Sequence, residues 1–152
     1  MGPHLKFRLP KFMRAYTLVF GVLWFGVLGV NIPAVLRSNG FGATPFLLFF
    51  GLGGGLFLYR MGSMAVTADG DVLILRNFFR TYRFTRQAVE GFRIGRPSMG
   101  MPFGRTIHVL LNDETVVTAD VFAYGWAGVT QKGRERLQQR LDALRRWLAA
   151  AS

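Results

Sequence analysis

The sequence contains no cysteine, and its first 68 residues contain no aspartate or glutamate. The first absence excludes disulfides, thiolate metal sites and cysteine nucleophiles. The second divides the chain, because Asp69 is the first acid and all eight acids lie from there onward. Chemistry-bearing patterns are also scarce. No H-E-x-x-H, G-x-S-x-G or P-loop sequence occurs. The two histidines, His4 and His108, stand apart. Glu90 and Asp120 are the one carboxylate pair worth weighing as acid and base, against the commoner state of solvated or Arg-paired carboxylates. No catalytic set, metal site or cofactor is therefore expected. What is present is a chain of 152 residues that is 51% hydrophobic, with 15 Phe and a net charge of +11.

The apolar excess sits early. Residues 15–36 (AYTLVFGVLWFGVLGVNIPAVL) and residues 41–59 (FGATPFLLFFGLGGGLFLY) carry no charge. A bilayer core about 30 Å thick needs about 20 helical residues. Asn31 and Pro33 stand near the outer end of the first run, where a kink is tolerable. A polar turn, Arg37 to Gly40, joins the runs, so the spacing predicts an antiparallel transmembrane hairpin over 15–60. A cleaved signal peptide is the competing reading of the first run, but its apolar core exceeds the roughly 7–15 residues such signals use and no A-x-A site follows. Lys6, Arg8, Lys11 and Arg14 precede the first span, while the hairpin turn holds only Arg37. This asymmetry predicts an inner-membrane, multi-pass protein with both termini in the cytoplasm. Residues 1–14 then form a basic cytoplasmic segment and residues 61–152 a cytoplasmic domain. Gly51 and Gly55 form a GxxxG pair, and Gly26 and Gly29 offer a matching small patch. These glycines serve packing within the hairpin, with homo-oligomerisation as the alternative.

From residue 64 the pattern changes to short alternating runs broken by turn residues. Strands are predicted at 64–68, 72–76, 81–85, 89–94, 106–111 and 115–121, with Asp69-Gly70 and Asn112-Asp113-Glu114 as turns. Tyr82 and Phe84 share one face, as do Ile107, Val109 and Leu111. A helix is predicted over 131–150. Thr130 is its N-cap, Leu137, Leu141, Leu144 and Leu148 form one stripe, and Trp147 extends it. The aromatic–glycine stretch 122–128 packs this helix onto the sheet or lines a ligand groove.

Residues 66–77 (VTADGDVLILRN), 80–84 (RTYRF) and 89–94 (VEGFRI) resemble the bacterial pleckstrin-homology-like (PH-like) domain proteins. Small actinobacterial members carry one or two membrane spans before the domain. Residues 85–88 (TRQA) depart from the Trp and acidic residues common there. The resemblance covers residues 64–122. It implies an α+β domain, a curled antiparallel sheet of six or seven strands capped by a C-terminal helix, and no catalytic residue.

Two candidate contact regions stand out. Arg76, Arg80, Arg83 and Arg86 form a basic cluster that could clamp phosphate or simply be a solvated face drawn to anionic lipid. Arg96, Met99, Met101, Phe103 and Arg105 belong to a Gly- and Pro-rich loop. That loop dips into the bilayer interface, docks a partner, or caps the sheet. The basic charge is explained by membrane lipid without any nucleic-acid module. The sequence thus points to a non-enzymatic membrane-anchored module, a scaffold or accessory subunit with an unidentified protein partner. Anionic headgroup binding by the basic hairpin is the alternative, and an enzyme is a further one.

Overall fold

A computed structural model of the chain describes residues 4–39, 44–97, 104–123 and 130–150. It divides into two compact units, Lys11–Ser63 and a second one built from Met1–Pro10 together with Met64–Ser152.

The first unit is a pair of helices, α1 (Lys11–Asn39) and α2 (Thr44–Ser63). By length and composition, Lys11–Val35 is able to cross a membrane, and none of its apolar window is buried within the protein. Its polar side chains turn back onto their own helix. The Thr17 hydroxyl donates to the Met13 carbonyl at 2.8 Å, and the Asn31 amide to the Val27 carbonyl at 2.7 Å. Such internal satisfaction is what a hydrocarbon setting demands. The helix runs through Pro33 to Asn39. The second predicted run lies in α2, a helix of 20 residues whose apolar part, Leu47–Ser63, is shorter than the candidate span in α1. One candidate spanning helix and one shorter apolar helix therefore stand where two full spans were expected.

The seam between α1 and α2 uses other glycines than most of those expected. A Cβ on Gly54 would come within 2.6 Å of the Trp24 indole nitrogen, one on Gly55 within 3.2 Å of Phe25, and one on Gly21 within 3.2 Å of Leu58. The Trp24 indole lies in the space that Gly54 leaves and donates to the Phe50 carbonyl at 3.2 Å. Of the predicted packing set only Gly55 faces this seam. Gly26, Gly29 and Gly51 have nothing within 4 Å of where a Cβ would stand.

The second unit contains seven strands and one long helix among the described residues. The strands are β1 (Leu5–Arg8), β2 (Ala65–Asp69), β3 (Val72–Arg76), β4 (Thr81–Thr85), β5 (Val89–Gly95), β6 (Thr106–Leu111) and β7 (Val116–Ala119), followed by α3 (Gln131–Ala149). They form two antiparallel sheets, β1-β2-β3-β4 and β5-β6-β7. This corrects the expectation of a single curled sheet. The ladder stops after β4, where the chain makes a 3-10 turn at Arg86–Ala88 before β5 starts the second sheet. A second correction concerns residues 5–8, expected as part of a basic tail. They pair with β2 in the register Leu5↔Ala68 to Arg8↔Ala65.

Alternation explains the core. Leu73 and Leu75 of β3 are fully buried and pair with Phe84 and Tyr82, so Ile74 and Arg76 take the opposite face. Ile107, Val109 and Leu111 of β6 are buried as one face. The β1 ring of Phe7 meets Phe122 edge-on at 5.7 Å. The α3 stripe closes this core with Leu137, Leu141, Leu144 and Trp147. Trp147, rather than Leu148, completes the buried face. Thr130 caps α3 as predicted, its hydroxyl accepting from the Gly133 N–H at 3.1 Å.

Candidate functional site

The register gives the strand unit two unlike ends. At one end Arg8 pairs with Ala65, Ala65 with Arg76, and Arg76 with Thr81. The chain leaves for α1 two residues after β1 and returns from α2 one residue before β2. This is the root end. The β3–β4 turn closes it, the Asn77 N–H donating to the Arg80 carbonyl at 2.9 Å.

Asn77 also ties the two sheets at the root end. Its side-chain amide donates to the Thr118 carbonyl at 2.5 Å, and its side-chain oxygen accepts from the Asp120 N–H at 3.1 Å. One side chain thus stands in for a strand beside the end of β7. Thr106, at the start of β6, donates to the Ala119 carbonyl at 2.7 Å. The connection from β5 to β6 therefore springs from the same end, and Arg96 and Arg105 stand at its two feet. Met99, Met101 and Phe103 of that connection lie outside the described residues, as does 124–129 of the aromatic–glycine stretch.

The opposite, far end holds the β2–β3 turn at Gly70 and the β6–β7 turn at Asn112–Glu114. Its sheets are joined through the 3-10 turn. The Arg86 N–H donates to the Asp71 carbonyl at 2.7 Å, and the Asn112 N–H to the Ala88 carbonyl at 3.1 Å. Asp69, Asp71, Glu90, Asp113 and Glu114 all cluster at this end. Thr115 donates to Asp113 at 3.0 Å, and this bond holds the Asp113 carboxyl below the usual carboxylate range. Among the described acids of the strands and their turns, Asp120 stands at the root end. It is buried, and burial pushes its carboxyl up, partly offset by a hydrogen bond from the Phe78 backbone. Among the exposed side chains of the strands and their turns, Arg8, Arg76, Arg80, Arg96 and Arg105 stand at the root, and Asp69, Asp71, Glu90, Asp113 and Glu114 at the far end.

The predicted basic cluster separates in space. Arg76, Arg80 and Arg83 are exposed, and Arg83 shares the outer face of the first sheet with Lys6, Arg8 and Arg76. Arg86 is buried instead, at the far end. Its guanidinium lies 4.6 Å over the Trp147 ring, donates to the Gly70 carbonyl and stands 3.5 Å from Asp71. The Trp147 indole donates to the same Gly70 carbonyl at 3.0 Å. Arg86 therefore pins α3 to the β2–β3 turn and offers no free charge to a ligand. Glu90 and Asp120 sit at opposite ends of the unit, so they form no acid/base pair. The His108 Nε2–H donates to the Arg96 carbonyl at 2.8 Å, and the ring covers Gly95, where an added Cβ would collide with it.

A cleft of about 520 Å³ opens at the root end between the β3–β4 turn and β7, lined among others by Asn77, Phe79, Arg80, Tyr82, Val116 and Asp120. Among the described residues no three His, Asp or Glu side chains converge as metal ligands would. The sequence reading missed Asn77 as a bridge and Phe79 as a surface group. The available signal was the Phe78-Phe79 pair in a two-residue turn, where a core has room for one ring. No family model, curated protein or solved structure matches this chain.

Proposed function

We propose that the chain is a membrane-anchored, non-enzymatic PH-like interaction module, serving as scaffold or accessory subunit of a membrane protein complex. The observation that carries this is the position of the helical unit. It is inserted between two paired strands, so α1 and α2 leave and rejoin one end of one folded domain. Paired roots favour an anchor that enters and leaves on the same side, with both helices spanning as a hairpin. Lys6, Arg8, Lys11, Arg14 and Arg60 flank the roots against Arg37 in the hairpin turn, which favours a cytoplasmic domain on the inner membrane. The PH-like reading is supported by the strand order, four then three, followed by a capping helix. The far end, with its acidic turns, is the surface such a module would present to a basic partner.

Two measurements test this. A cysteine at Ser38 should react with an impermeant maleimide added to intact cells, whereas one at Glu90 should react only after permeabilisation. The reverse pattern, or labelling of both, sinks the topology. The full chain extracted in mild detergent should retain a stoichiometric protein partner. Purification with anionic lipid alone would shift the reading to headgroup binding by Arg76 and Arg80.

A further inference from the structure

We infer that the β3–β4 turn is a second membrane contact. Phe79 enters the headgroup–acyl boundary of the bilayer that holds α1, and Arg8, Arg76 and Arg80 lie among its anionic headgroups. This rests on the reading above that the helical unit is embedded in a membrane.

Chain geometry carries the inference. The links between the strands and the helices are one or two residues long, and an extended residue spans about 3.3–3.6 Å. Each link at the root end is therefore a tether of at most about 10 Å between a strand and the helix next to it in the chain. The β3–β4 turn closes that same end two strands away from β1. Strands are spaced about 4.8 Å apart, so the turn is displaced sideways from the roots by about 10 Å. A membrane that holds α1 thus lies within reach of the turn without any unfolding.

The turn is built for such a surface. Phe78 is buried at 8% exposure while Phe79 is 66% exposed, and the rings meet edge-on at 4.8 Å. The core takes one ring and the turn presents the other. Asn77 holds the turn from both sides, through Arg80 and through β7, so little further ordering is needed on contact. An apolar ring rimmed by arginines suits the interface, where the ring meets the acyl boundary and the cations meet anionic headgroups. The sorting of charge supports the same orientation. Turned over, the unit would press Asp69, Asp71, Glu90, Asp113 and Glu114 against anionic lipid.

The cysteine-free chain makes each introduced cysteine unique. Full-length Phe79→Cys, Thr85→Cys and Val27→Cys, each carrying a nitroxide, would be reconstituted into vesicles of phosphatidylglycerol and phosphatidylethanolamine. Accessibility to oxygen and to a nickel chelate would then be compared. Phe79 should be oxygen-rich and several-fold less accessible to nickel than Thr85, which lies at the far end of the same strand pair. Adding Arg76→Ser and Arg80→Ser should move the Phe79 label toward the aqueous signature. A Phe79 label as nickel-accessible as Thr85, with Val27 immersed, overturns this inference and leaves the anchor standing. A Phe79 label shielded from both reagents means burial against protein and also overturns it. An aqueous Val27 label overturns the membrane reading itself, and this inference with it.

Discussion

Asp120 is a carboxyl that the fold prefers neutral. Burial raises it above the ordinary carboxylate range, so the folded chain binds this proton more tightly than the unfolded chain does. The stability it contributes is complete below the unfolded value and is lost as pH rises through the folded one. At neutral pH the buried charge is therefore a cost. Asp120→Asn should raise the melting temperature at pH 7 and keep the Asn77 bridge, which uses the Asp120 backbone. The gain should shrink toward zero as pH falls below the ordinary carboxylate range. Thermal unfolding of the detergent-solubilised chain at several pH values checks this, and a gain independent of pH would refute it. Neither Asp120 nor Arg86 could be placed from sequence. Arg76, Arg80, Arg83 and Arg86 are close in sequence and read as one patch, yet the 3-10 turn that follows β4 carries Arg86 inward. The burying partner, Trp147, lies on a helix far along the chain, and no local pattern announces it.

At the level of elements, alternation told most of the story. Six strands begin and end within two residues of the expected positions, because a half-buried strand must alternate and its turns need Gly, Asn or Asp. The stripe and N-cap of α3 were legible for the same reason. The glycine seam was only partly so, since small-residue spacing marks several faces of a helix and the choice among them depends on where Trp24 lies. That choice is testable. Gly54→Ala places a methyl in the space of the Trp24 indole and should break its bond to Phe50. Lost hydrogen bonding and overpacking together cost about 1–3 kcal/mol. The helical signal of the detergent-solubilised chain should melt earlier in Gly54→Ala, while Gly26→Ala and Gly51→Ala, set in open space, should match the parent. Equal melting of all three would place the seam elsewhere.

For the whole molecule the decisive feature is discontinuity. The strand unit is assembled from residues on both sides of the helical unit. The four residues of β1 showed too little alternation to be read beside a long apolar run, and their partner lies some 60 residues on. A domain taken as residues 64–152 is therefore short of its edge strand. It exposes the β2 edge, an open template for association, and loses the packing of Phe7 on Phe122. Joining residues 4–10 to 64–152 through an Asn-Gly linker, in place of 11–63, should give a soluble monomer, because Arg8 and Ala65 are already paired and a short loop can close a hairpin. Relative to that chain, residues 64–152 alone should be less stable by at least about 2 kcal/mol, the scale of a half-buried aromatic and its neighbours. They should also self-associate. Urea unfolding and sedimentation of the two chains decide the matter. Equal stability and equal monomer content would mean that β1 is dispensable, and that the helical unit precedes the domain instead of interrupting it.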